Sequence, residues 1–424
     1  MLEVIAITLA LSTLIIAFGK QDREKAPGIR RWVWLIVTVG LVEMILLPSW
    51  PQRLLLALVL IHTQLSFPPS AHERFLMQVC TIVGGYLLLL PYVQAGGTAY
   101  LEPFLWLLVG LGAITGVWAM VSAYYHRLRA KDWKGGMVYV LPWKVCGWEY
   151  WLWEGVTNDF TAGHMNSNFT QPVVMVSTTA TLWLALQGSM LAWGLLPLVA
   201  FPIAAYAVIQ HRPGQWTVHM GILACLVLAS SFYGNWIWGM ALLGLAGLIA
   251  LAIHQYPKRQ GDMWWDSGRF REWWGVMQLW WKCKSPLIVL IGGGIRSWLQ
   301  ASTDFGPRKA NEKNDNRAPI FSMAHNEYLQ QVFEYGVVGL VVLLWYVGMV
   351  LTKAHALSEG LFWVAVMLCS TAALSFPWSF YHTVYIEQPD PADANKVMVQ
   401  ETRHGSPLLV WLTFLLLVLV ESQK

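Results

Sequence analysis

Apolar runs about 20 residues long recur along this chain, and a run of that length is what crosses a bilayer as a helix. About twelve lie near residues 1–18, 32–49, 53–68, 75–93, 103–124, 170–187, 190–210, 217–233, 235–253, 330–352, 360–379 and 407–421. In lipid every backbone polar group must be satisfied inside the segment, so runs of this kind become helices. With 56% hydrophobic and 12% charged residues, the composition is wrong for a soluble globule and right for a polytopic membrane protein. The expectation is therefore an all-α polytopic membrane protein of about 12 transmembrane helices, a single integral membrane domain over residues 1–424. Its surroundings are membrane lipids, with no nucleic acid among its partners. The first run lacks a basic n-region and is followed by KQDREK, so it reads as a retained helix rather than a cleaved signal. No internal repeat stands out.

Four hydrophilic stretches interrupt the pattern. Residues 20–31 carry five Lys/Arg and residues 126–134 carry four, which places both on the cytoplasmic side. Residues 381–406 are acidic and contain proline, and read as a solvated connector. Residues 254–329 form the longest loop. Strict alternation from a cytoplasmic first loop leaves this long loop cytoplasmic too, unless 137–156 supplies one more crossing. That segment contains Lys144, Glu149 and Glu154, so a span and a re-entrant or interfacial helix both fit it. Lys353 after the 330–352 helix and Lys424 suit the cytoplasmic side when the long loop is external, and we read that loop as external.

Between residues 254 and 325 eleven Lys/Arg stand against six Asp/Glu, a net of +5. A long loop can be translocated regardless of charge, and its excess charge then suits an anionic ligand. Within it, 266–282 (DSGRFREWWGVMQLWWK) reads as a helix with Asp266 and Ser267 as candidate caps. Arg269, Trp273, Val276, Met277 and Trp280 share one face. An arginine on the first turn gains from its guanidinium fork and from the helix N-terminus when it binds phosphate. The alternative is an arginine snorkelling at a membrane surface against tryptophan. Gly292, Gly293 and Gly294 allow a tight turn or close approach to a ligand. The next helix starts after His325, and Gly339 in its first turns would allow close helix contact. His325 is either a titrating group, since imidazole ionises near 6.5 in model peptides, or a capping or interfacial residue.

Tryptophan occurs 26 times, often at span ends, as at Trp148, Trp151 and Trp153. Interfacial belts explain this; aromatic walls for sugar rings are the alternative in the external loops. Of the five cysteines, Cys80, Cys225 and Cys369 fall in spans as small core hydrophobes, and Cys146 and Cys283 in loops. There is no CxxC and no zinc spacing.

The order GRFREWW (268–274), a glycine turn (292–294) and AHNEYLQ…EYGVVGL (324–340) resembles the O-antigen ligase and O-antigen polymerase superfamily of bacterial membranes. Gly163-His164-Met165-Asn166-Ser167-Asn168 is similar to that family's Gly-x-x-Asn-x-Asn element, and Ser375-Phe376-Pro377 to its late Phe-Pro turn. The resemblance covers roughly residues 163–379. It departs at Ser230–Asn235, where the family's Ser-Arg-Gly has no arginine counterpart. The resemblance implies a GT-C-like membrane glycosyltransferase architecture in the bacterial inner (cytoplasmic) membrane, with the 254–329 loop periplasmic and carrying the active site. It implies transfer of a glycan from undecaprenyl (polyprenyl) diphosphate to a lipid or glycan acceptor such as lipid A-core, inverting and metal-independent, with no cofactor. By position His325 is the family histidine and Arg269 the family loop arginine. Arg296, Arg317 and Arg212 are candidates for the missing second cation. Asn326 and Tyr328 are candidates for orienting the imidazole or holding sugar hydroxyls, and Asn166 and Asn168 for lining the same cavity.

The residue types suit that chemistry. A sugar C1 bonded to diphosphate needs negative charge stabilised on the leaving group and the acceptor hydroxyl deprotonated; arginine serves the first and histidine the second. A polysaccharide polymerase or a protein O-oligosaccharyltransferase would use the same groups and differ only in the acceptor. A polyprenyl-linked glycan transporter or flippase is the reading from another class. Transporters show paired broken helices or repeats and mid-span charges, and Glu43 is the clearest mid-span charge here. Metal-dependent membrane glycosyltransferases place acidic ligands in an early external loop, whereas Asp22 is the only Asp in the first 100 residues.

Overall fold

The computed structural model describes residues 39–65, 69–129, 137–145, 148–155, 167–210, 214–231, 269–294, 297–298, 301, 324, 326–373, 382–390, 393–404 and 407–422. Residues 39–46 are helical (α1). There follow α2 (Trp50–Leu65), α3 (Pro69–Gly96), a 3-10 turn (Gly97–Tyr100) and α4 (Leu101–Arg129). Then come a hairpin of β1 (Met137–Val145) and β2 (Trp148–Gly155), and helices α5 (Ser167–Leu186), α6 (Met190–Gln210), α7 (Gly214–Ser231), α8 (Arg269–Cys283) and α9 (Pro286–Ile291). The chain continues through α10 (Glu327–Leu357), α11 (Glu359–Ala372), a hairpin of β3 (His382–Asp390) and β4 (Asp393–His404), and α12 (Pro407–Ser422).

Helix dominates, as the apolar runs require. The runs at 1–18 and 235–253 lie outside the described residues; each of the others contains a helix. Among the described residues, two helical stretches are long and apolar enough to cross a membrane: Val83–Met120, which passes through the 3-10 turn, and Glu327–Leu357. Trp50–His62, Met190–Ile203, Glu359–Ala372 and Leu412–Ser422 are shorter apolar helices.

Two segments depart from expectation. Residues 137–156 were open to a span or a re-entrant helix; instead β1 and β2 pair antiparallel, from Met137 opposite Gly155 to Val145 opposite Trp148. The reason is composition: β-branched and aromatic residues such as Val138, Tyr139, Val140, Trp151 and Trp153 suit a pleated ribbon. Pro142, which cannot donate to a ladder, is tolerated in a two-stranded sheet with free edges, and the register sets Lys144 opposite Glu149. The 381–406 connector likewise holds an antiparallel pair, His382 opposite His404 through Asp390 opposite Asp393.

The chain divides into two compact units, each assembled from separate segments: Met1–Thr98, Glu272–Lys353 and Pro377–Lys424 in one, Ala99–Arg271 and Ala354–Phe376 in the other. In the first, a core of Leu56, Leu60, Tyr86, Leu87, Tyr335, Phe414 and Val418 joins α2, α3, α10 and α12. Polar groups inside it are matched to one another. The Gln52 side chain donates to the hydroxyls of Tyr86 (3.2 Å) and Tyr346 (2.9 Å) and accepts from the Ser49 amide (3.2 Å). Lys353 Nζ reaches Glu421 Oε2 at 3.0 Å, tying α10 to α12. In the second unit, α5 packs against α4, α6 and α11. Trp183 meets Trp363 edge-on at 5.2 Å between centroids. Cys225 and Cys369 are half-buried in α7 and α11.

Candidate functional site

The site is built around α8 and the start of α10. The helix expected over 266–282 begins at Arg269, and its proposed caps lie outside the described residues. The expected inner face is the buried one. Val276 and Trp280 are fully enclosed with Trp298, Ala301, Ala324 and Phe333, and Trp273 and Met277 pack against them. Phe333 meets Trp280 at a tilt, with centroids 4.6 Å apart, and Trp298 edge-on, with centroids 5.0 Å apart.

The entry to α10 is fixed from several sides. The indole Nε1 of Trp273 donates to the Ala324 carbonyl at 2.6 Å. The Ala324 amide donates to Gln330 Oε1 at 3.4 Å, and Gln330 Nε2 donates to Glu334 Oε1 at 3.1 Å. Asn326 is the helix cap: its Oδ1 accepts from the Leu329 amide (2.9 Å) and its carbonyl from the Gln330 amide (2.9 Å). This satisfies one of the donors that a helix N-terminus leaves without partners. His325 itself lies outside the described residues. Arg269 is four residues before Trp273, one turn along the same face of α8; only its backbone is described.

Of the two uses expected for Gly292–Gly294, the tight turn is present, with φ 90° at Gly292 and Gly294, and it packs on α10. Gly293 N donates to Phe333 O (2.9 Å), Gly294 N to Glu334 O (3.0 Å), and Ser297 Oγ to Phe333 O (2.5 Å). These carbonyls are available because α10 is broken at Gly336, where φ is 72° and ψ −173°. The backbones of Leu290–Gly292 and Glu334–Gly336 lie in contact, and a Cβ on Gly336 would collide with the Leu290 carbonyl and the Gly292 nitrogen. Gly336 is thus the residue of close approach. Gly339 instead faces Tyr335 of its own helix.

Of the other expected site residues, Tyr328 is half-buried in the first turn of α10 and Asn168 is the second residue of α5. Asn166, Arg296, Arg317, Arg212 and the Ser375–Pro377 turn lie outside the described residues. Two residues position the site by holding Ala324 in place, Trp273 and Gln330. Only Trp273 carried a signal, its place on the apolar face of α8. No protein-family model, curated protein or solved structure matches the chain.

Proposed function

We propose that the chain is a multi-pass inner-membrane glycosyltransferase that moves a glycan from polyprenyl diphosphate to an acceptor at the periplasmic face. The observation that carries this reading is the 2.6 Å bond from Trp273 to Ala324. One helical turn before it on α8 stands a permanent cation, Arg269; one residue after it stands a titratable base, His325. The chemistry needs one group of each kind.

His325 takes the proton from the acceptor hydroxyl as its oxygen attacks C1 from the side opposite the diphosphate. The C1–O bond to phosphate breaks, the anomeric centre inverts, and the diphosphate leaves as an anion. Arg269 stabilises that anion with a bidentate fork. Asn326 Oδ1 is committed to the helix cap, so Asn326 serves by fixing the start of α10. The positive balance of the 254–325 stretch supports an anionic substrate.

The test is purified protein in bilayers with a synthetic polyprenyl-diphosphate glycan and a panel of lipid, glycan and peptide acceptors, product mass being measured. Transfer to lipid A-core, to a second repeat unit or to peptide separates ligase, polymerase and oligosaccharyltransferase. Donor that crosses the bilayer untransferred refutes the enzyme reading and favours a flippase. Because arginine does the work of a divalent ion in this scheme, transfer persists in EDTA.

A further inference from the structure

The stretch 254–329 reads as an extramembrane loop, yet its helices present an apolar surface outward as well as inward. Trp274 and Trp281, seven residues apart on one stripe of α8, are 57% and 60% exposed. Leu287, Leu290 and Ile291 make up half of the six-residue α9, and all three are exposed. Lys282 stands exposed beside Trp281.

The height of this surface is set by α10. The turn after α9 is hydrogen-bonded to Phe333 and Glu334 of α10. From Tyr335 to Thr352 α10 carries no charge, and its unbroken part from Val337 is about 24 Å long at 1.5 Å per residue, against a hydrocarbon core of about 30 Å. Glu334 marks one end of that apolar run and Lys353 the other. The end of α9 therefore sits level with one boundary of the hydrocarbon. On α10 the exposed apolar residues Val338, Val341 and Leu344 begin two residues beyond Gly336.

We propose that α8 and α9 form an interfacial platform seated in the headgroup–acyl boundary of a phospholipid bilayer, with Trp274, Trp281, Leu287, Leu290 and Ile291 immersed and Lys282 at the phosphates. Tryptophan favours this layer because its ring is apolar and its N–H is wet. A lysine beside it extends to the phosphates while its stem stays in the apolar layer. Occupation of this surface by a second copy of the chain would not account for its level with the end of the apolar run. The platform rests on the membrane reading alone and stands or falls separately from glycan transfer.

The test uses full-length protein with the native cysteines replaced, carrying W281C, L287C or, as a lipid-facing reference, V341C. Each is labelled with bimane and placed in nanodiscs of phosphatidylethanolamine and phosphatidylglycerol. Lipids spin-labelled high on the acyl chain should quench W281C and L287C as strongly as V341C, and aqueous iodide should quench them little. Quenching by iodide and not by the lipid label would overturn the proposal. So would protection from both quenchers with cross-linking between copies. The two sites lie on different helices, so one labelled variant suffices if the other fails to assemble.

Discussion

Replacing Gly336 with alanine tests the packing that holds the candidate site. At φ 72° and ψ −173° this residue occupies a region open in practice only to glycine, at a cost of about 1–3 kcal/mol for any other residue. The added methyl would also meet the backbone of Leu290 and Gly292, and no change of rotamer can move a backbone aside. The segments must separate, which opens the bonds from Gly293 and Gly294 to α10, each worth about 1 kcal/mol net. The two effects together predict a loss of about 3–5 kcal/mol. Gly348 on the same helix is the control: nothing lies within 4 Å of where its Cβ would be, so Gly348→Ala should be neutral or stabilise by up to about 1 kcal/mol. The assay is unfolding of purified protein in mixed micelles with rising SDS, followed by circular dichroism. Gly292→Ala breaks the same contact, so the double variant should cost less than the sum of the singles. A Gly336→Ala protein within about 1 kcal/mol of Gly348→Ala, or full additivity with Gly292→Ala, would refute the reasoning.

Other outcomes follow from the same geometry and from the proposed chemistry. Arg269→Lys keeps the charge but loses the fork and should lower donor turnover, while Arg269→Ala should cost about 2–4 kcal/mol in kcat/KM for donor, with acceptor KM little changed; steady-state kinetics against both substrates check this. His325→Ala should abolish transfer while donor binding, read by filter retention, survives. Trp273→Phe keeps the ring but leaves the Ala324 carbonyl without its donor, and should cost about 1–3 kcal/mol of stability, whereas Trp274→Phe should cost little; SDS unfolding compares the two. Lys353→Met leaves the enclosed Glu421 carboxylate without its cation, at about 1–3 kcal/mol given that Lys353 is partly exposed, and Glu421→Gln in the same chain should restore part of the loss.

The helices were legible because apolar runs of spanning length leave the backbone little choice, and the buried face of α8 was legible from its spacing alone. The cap at Asn326 follows a local rule, an Asn immediately before a helix, but capping was expected of His325 as one alternative, and Asn326 was expected at the imidazole or the sugar. What escaped was of two kinds. The hairpin at 137–155 is so rich in aromatic residues that its apolar content resembles that of a helix, and period-2 alternation is blurred where Trp151, Leu152 and Trp153 run together. The rest depended on partners far apart in the chain. Gln52 finds Tyr346 across 294 positions, and the glycine turn finds the α10 backbone. Nothing local in either segment announces the other.

The enclosure of Ala301 and Ala324 in one core cluster bears on how the chain can be engineered. Both alanines are almost fully enclosed, so a larger side chain at either position would overpack the cluster that holds Trp280, Trp298 and Phe333, at about 1–3 kcal/mol. A label that must leave α8 and the cap of α10 in register therefore belongs away from positions 301 and 324.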